Sequence, residues 1–280
     1  MTTQVLADDI CFGEGPRWHD DRLYFSDMHD HKVKTVTETG QVSDIIGVEN
    51  RPSGLGWLSN GDLLVVSMLD RRILRFDGSI LTEHADLSHF APFECNDMVV
   101  DSSGRAYVGH FGFDLNGGAS FNHATLIVVE LDGTSRVVAD HLSFPNGTVI
   151  TPDGTTLVVA ETFAGRLTAF DIVANGDLQN RRLWGQLPAG TAPDGICLDA
   201  EGAIWVASPP TNECLRLAEG GDVLERIQVD HGAYACMIGG SDTPKLFILT
   251  SPSSSPDECR TQRGAHVETA HVPAVGAGYP

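Results

Sequence analysis

PNGTVITPDGTTLVVAE (145–161) and PDGICLDAEGAIWVAS (193–208) are built to one plan. A small polar or acidic residue opens a hydrophobic run, a turn of Asp, Gly and Pro or Glu reverses the chain, and a second run rich in β-branched residues follows. That is the sequence signal of a hairpin. The plan recurs in GEGPRWHDDRLYFSD (13–27), PSGLGWLSNGDLLVVS (52–67), CNDMVVDSSGRAYVG (95–109) and AYACMIGGSDTPKLFILTS (233–251). Aligned on the hydrophobic position four residues later (Trp18, Trp57, Val100, Ile150, Leu198, Ile238), the openers are Glu14, Ser53, Asn96, Asn146, Asp194 and Tyr234, spaced by 39, 43, 50, 48 and 40 residues. Third and fourth strands follow more weakly, as at Arg71–Phe76, Leu126–Leu131 and Leu167–Asp171.

Four strands in about 44 residues make a propeller blade. Six blades use nearly the whole chain, so the predicted fold is an all-β six-bladed β-propeller, four antiparallel strands per blade, as one domain over residues 1–280. Val5–Cys11 is free to pair into the last blade beside Ala265–Pro273, closing the ring and removing its open edges. SPSSSPD (251–257) reads as a polar loop inside that blade. Amphipathic periodicity long enough for paired helices is missing, which excludes a helical solenoid. A β-sandwich, the alternative all-β architecture, needs shorter and unequal repeats.

Lys and Arg number 18 against 38 acidic residues, a net charge of −20. Such a surface repels nucleic-acid phosphates and anionic lipid, so neither nucleic acid nor membrane is an expected partner. The N-terminus lacks a basic segment followed by an apolar one, and no run is long enough to span a bilayer, which points to the cytoplasm. The six cysteines show no metal-binding spacing and several sit in hydrophobic runs, so they are expected as buried reduced thiols. Composition carries no signal about oligomeric state.

In a propeller the innermost strands line a central channel, so residues at equivalent positions of the repeats meet at its mouth. Glu14, Asn96, Asn146 and Asp194 would there present two carboxylates and two amide oxygens. This is a hard, oxygen-only set suited to Ca²⁺, Mg²⁺ or Mn²⁺, with Zn²⁺ possible through the carboxylates. Taken singly, Asp, Asn and Ser before a strand are turn formers; Glu14, between Gly13 and Gly15, is a poor one. His29-Asp30-His31 is the one close histidine pair, on a loop, and reads as structural.

GEGPRW (13–18), PNGTVITPDG (145–154) and PDGICLDAEGAIWVA (193–207) resemble the SMP-30/gluconolactonase/regucalcin-like family, six-bladed propellers that include metal-dependent sugar lactonases. The resemblance implies one divalent ion, Ca²⁺ first among the candidates, held by Glu14, Asn146 and Asp194. It further implies Asp194 as general base, and Asn96 in contact with substrate or with a water on the ion. Sugar lactonases of this family often carry Arg two residues before the Asn-Asp pair, where Glu94 stands here. An acid at that place favours a neutral or cationic substrate, or hydroxyls that donate to a carboxylate.

The expected reaction is hydrolysis of a lactone, a sugar lactone or related cyclic ester, by a polarised carbonyl and an activated water. The small-molecule ester substrate would also meet Glu94, His110 and Phe113, the last two on the 110–118 loop, which suits a mobile cover. His110 reads more readily as a structural histidine capping its strand, and Glu161 as a rim contact or an exposed strand end. Aryl-ester or phosphotriester hydrolysis on the same ion, a non-catalytic metal-binding propeller, and less favourably a strictosidine-synthase-like activity are the other readings.

Overall fold

The computed structural model describes residues 2–280. Six four-stranded antiparallel sheets are present. Their innermost strands are Gly13–His19, Pro52–Trp57, Cys95–Val100, Pro145–Ile150, Ile196–Leu198 and Gly232–Gly239, one from each aligned repeat. Each touches the innermost strand of the blades before and after it, and Gly232–Gly239 touches Gly13–His19, so the ring closes. Blade four shows the common order, running outward from Pro145–Ile150 through Thr156–Glu161 and Arg166–Ile172 to Leu178–Gln186.

Blade six is composite. Gly232–Gly239, Lys245–Ser251 and Ala265–His271 are joined at the outer edge by Gln4–Ile10, with Gln4 opposite Thr269 and Ile10 opposite Ala265. The first strand of the chain thus completes the last sheet, as the two terminal runs predict. Opening the ring requires breaking a strand ladder, and Arg263 Nε on Asp9 Oδ1 at 2.5 Å adds an ion pair across the same seam.

Inner strands are covered on both faces, which is why their sequences are continuous rather than alternating. All six residues of Cys95–Val100 and of Pro145–Ile150 are buried, whereas the outer strand Ser135–Leu142 is mostly half-buried or exposed. Crowding at the axis also dictates glycine. A Cβ on Gly54 would lie 2.4 Å from Met98 N, and one on Gly147 would lie 2.5 Å from Ile196 N.

Two features depart from the sequence expectation. Of the polar stretch 251–257, Ser251 ends a strand and only 252–255 are irregular; Pro256–Gln262 is a helix. Pro in its first turn and Asp257 and Glu258 near its start suit a helix N-terminus. Beyond His271 the chain leaves the sheet and crosses the end of the channel opposite the openers, where Ile150 and Tyr279 exchange hydrogen bonds of 2.7 and 2.8 Å and Ala277 N donates to Leu198 O at 3.0 Å. The six cysteines are free and buried, including Cys197 and Cys236 with sulfurs 3.9 Å apart. Among the described residues no helix is long and apolar enough to cross a membrane.

Candidate functional site

One end of the channel opens into a cavity of about 250 Å³, and Glu14, Asn96, Asn146 and Asp194 all line it. Glu14, Asn96 and Asn146 are each the second residue of an inner strand, and Asp194 lies two residues before its own. The common position along the repeat therefore becomes a common place in space, delivered by blades one, three, four and five.

Asn96 is oriented by the next blade, and Asn146 by Thr162 of its own blade, which is tied in turn to blade five. Asn96 Nδ2 donates to Pro145 O at 3.2 Å. Asn146 Nδ2 donates to Thr162 Oγ1 at 3.3 Å, and Thr162 Oγ1 itself donates to Pro193 O at 2.7 Å. With their NH₂ groups so engaged, the amide oxygens receive no donor among the described residues.

The carboxylates are poorly compensated. Glu14 accepts only a long 3.4 Å bond from the Gly15 amide, and neither it nor Asp194 has an ion-pair partner among the described residues. Burial, then the charges of Asp194 and Asp97, push the Glu14 carboxyl well above the usual range. Burial likewise raises Asp194, with Asp97 adding to it and the Asn146 hydrogen bond opposing. Two carboxyl groups that resist ionising side by side form a place where a positive charge is strongly favoured.

Arg17 and Asp97, which were not among the expected site residues, form the layer beneath. Arg17 Nη2 donates to Asp97 Oδ1 at 2.7 Å and to Met98 O at 2.6 Å, Nε to Leu55 O at 2.9 Å, and Nη1 to Pro16 O at 2.7 Å. Asp97 stands where four of the other five repeats have glycine after the opener, and that break in the pattern is the signal that could have found it. Fully ionised, Glu14, Asp97 and Asp194 against Arg17 leave two negative charges, the complement of one divalent cation. Among the described residues no three His, Cys, Asp or Glu side chains gather at a point as metal ligands. A cation here would therefore depend on amide oxygen as well as on Glu14 and Asp194, and that hard donor set fits Ca²⁺, Mg²⁺ or Mn²⁺.

Above this polar floor the walls are apolar. Phe12, Met28, Met68 and Tyr234 form one side, with Phe12 stacked on His29 at 5.0 Å and edge-on to Tyr234 at 4.6 Å. Phe111, Phe144 and Phe163 form the other, with centroids 4.6 and 4.8 Å apart in sequence. Glu94, Asn116 and Arg51 reach the cavity as well, and Asn116 Nδ2 donates to Glu94 Oε1 at 3.3 Å.

Other expected contacts lie elsewhere. His110 is buried between strands, where its Nε2 accepts from the Thr125 amide at 3.0 Å; burial lowers its pKa to about 4, and it does not line the cavity. Phe113 packs behind the wall, 6.0 Å from Phe163 and 6.3 Å from Phe144, while Phe111, Leu115 and Asn116 of its loop reach the cavity instead. Glu161 is neither exposed nor at the rim. It is fully buried, and although burial raises its carboxyl, bonds from Arg166, Thr168 and the Ser143 amide outweigh that and hold it below the ordinary range. His29 lines the cavity but His31 turns to Glu49 O at 2.6 Å, so the two do not converge.

A closed six-bladed propeller with a polar floor at one end of its axis defines a class of enzyme scaffolds in which separate blades contribute to a single site. The family described as SMP-30/gluconolactonase/LRE-like region matches residues 12–252, and the chain belongs to it. A pentonolactonase of Haloferax volcanii is 28% identical over 267 residues, covering 90% of this chain and 86% of that protein. A 6-deoxy-6-sulfogluconolactonase of Pseudomonas putida is 29% identical over 258 residues, covering 88% and 86%. The solved structure of a calcium-binding regucalcin from Agrobacterium tumefaciens superposes with a TM-score of 0.79 at 22% identity, covering 98% of this chain and 94% of that one.

Proposed function

We propose that the protein is a metal-dependent lactonase in which Glu14, Asn146 and Asp194 hold one divalent cation, Ca²⁺ by preference. The supporting observation is the pair of carboxyl groups, half-buried Glu14 and buried Asp194, left without an ion-pair partner among the described residues beside two oriented amides. When bound, the cation supplies Lewis acidity toward the ring carbonyl. Asp194 takes a proton from the attacking water as its oxygen bonds to the carbonyl carbon. As the ring C–O bond breaks, the same carboxyl returns a proton to the leaving alkoxide. Asn96 and Glu94 orient the substrate, and the aromatic walls exclude bulk water from the reacting ester. His110 and Phe113 support the site from behind it. The names of the lactonase relatives agree with this chemistry, and the six free, buried thiols agree with work in the reducing cytoplasm.

Aryl-ester hydrolysis is the second reading, favoured by Phe111, Phe144 and Phe163, which suit a flat leaving group. Initial rates on sugar lactones, simple lactones, aryl esters and phosphotriesters, each with Ca²⁺, Mn²⁺ and Zn²⁺, separate the two. Lactone opening that vanishes in EDTA and in Asp194→Asn supports the proposal. Cation binding with no turnover on any substrate would mean a non-catalytic metal-binding propeller.

A further inference from the structure

The residue two places before each opener forms a second tier above the floor: Phe12, Arg51, Glu94, Phe144, Ala192 and Gly232 in blades one to six. The four large ones all line the cavity. Ala192 and Gly232 have no reach. The tier thus contains one cation, Arg51, in blade two, next to the anion Glu94 in blade three. The positive charge missing at position 94 is present one blade away, at the same height along the axis.

Arg51 is built to meet something outside the protein. It has no ion pair or hydrogen bond from its guanidinium among the described residues, and its Nε is buried without a partner. Burial and the neighbouring Arg260 guanidinium both disfavour its charge, against a smaller attraction from Glu94. Arg260 is meanwhile engaged by Asp257. The backbone at Arg51 is held at φ +64°, matching +63° at the equivalent Phe144. Both conformations are uncommon for bulky residues and occur where the surroundings enforce them. Leaving a guanidinium unpaired in a chain with 38 acidic residues makes sense where an anion arrives from solution.

We propose that Arg51 is the specificity-determining residue of this site and receives an anionic substituent, a carboxylate or sulfonate, carried by the lactone away from its reacting ester. Glu94 then accepts from substrate hydroxyls or keeps Asn116 in place, and the preference for neutral or cationic substrates expected from Glu94 alone is reversed. The reaction in this proposal rests on the lactonase reading; the anion site does not.

Two measurements test it. The first compares kcat/KM for a γ-butyrolactone bearing a carboxymethyl group with that for its carboxamide, in wild type, Arg51→Gln and Arg51→Lys. Wild type should prefer the carboxylate. Arg51→Gln should lower the carboxylate-to-carboxamide ratio about 10- to 100-fold, the range of a lost hydrogen-bonded charge pair, mainly through KM, and Arg51→Lys should keep part of it. A wild-type ratio at or below one, or a ratio unchanged within twofold in Arg51→Gln, overturns the proposal. The second is calorimetric titration with glutarate, a dicarboxylate with no ester. Binding weakened about tenfold or more in Arg51→Gln supports the anion site; binding absent in wild type or equal in both overturns it. If wild type opens no lactone while glutarate binding depends on Arg51, the lactonase reading fails and the anion site stands.

Discussion

Asp194→Asn should make the cation-free protein more stable and cation-insensitive at once. In the folded chain burial and Asp97 raise Asp194 from its ordinary 3.8 to about 8. Between those values the folded protein keeps a proton that the unfolded chain has released. Stability therefore falls as pH rises from about 4 to about 8, and is flat above that. Each pH unit in this window costs about 1.4 kcal/mol, so at pH 7 the total is about 4 kcal/mol, and relaxation around the buried group leaves about 2–4 kcal/mol to observe. Asn has nearly the same shape and does not titrate. In EDTA at pH 7 the variant should melt about 3–7 °C above wild type, the gap closing toward pH 4. Ca²⁺ at about 1,000 times Kd should reverse the order, since it stabilises wild type by about 4.1 kcal/mol and the variant scarcely at all. Calorimetric melts across pH 4 to 9, with EDTA and with Ca²⁺, read both effects. A variant no more stable than wild type in EDTA at pH 7, with the same pH dependence, would refute the reasoning.

Glu14→Gln should remove most of the Ca²⁺-induced thermal shift and lower lactone turnover by about 100-fold, the upper end of the range for residues that merely support a metal site; matched melting and rate assays check it. Arg17→Met leaves Asp97 buried without its partner and should cost about 3–5 kcal/mol in urea unfolding, most of it recovered in Arg17→Met/Asp97→Leu. Deleting residues 275–280 removes the backbone hydrogen bonds to Ile150, Leu198 and Ala200. It should lower stability by about 2–5 kcal/mol, and an unchanged urea midpoint would show that the tail is dispensable.

The ring was legible because the inner strands are buried on both faces and carry the openers at a fixed place. Their hydrophobic runs are continuous and are separated by Asp/Gly turns. The outer strands, half in solvent, have weaker patterns, and residues 274–280 share no repeat pattern, because that segment is held by backbone bonds and a few isolated contacts such as Tyr279 on the core. The floor followed from the alignment of Glu14, Asn96, Asn146 and Asp194. His110 and Glu161 were ambiguous because a polar residue ending a strand has the same appearance whether it faces a cavity or is satisfied inside the blade, as Thr125 and Arg166 satisfy these two. Arg51 and Glu94 illustrate the converse. A single motif shows the residue at one position, whereas the site is made from that position in all six blades at once.

The claim on which the rest depends is that three blades converge on one cation. Crystals grown with Mn²⁺ and measured for anomalous scattering test it directly. The account predicts one strong peak on the channel axis, bonded within about 2.0–2.6 Å to oxygens of Glu14, Asn146 and Asp194. No peak there, in crystals whose dissolved protein still opens lactones, would contradict it.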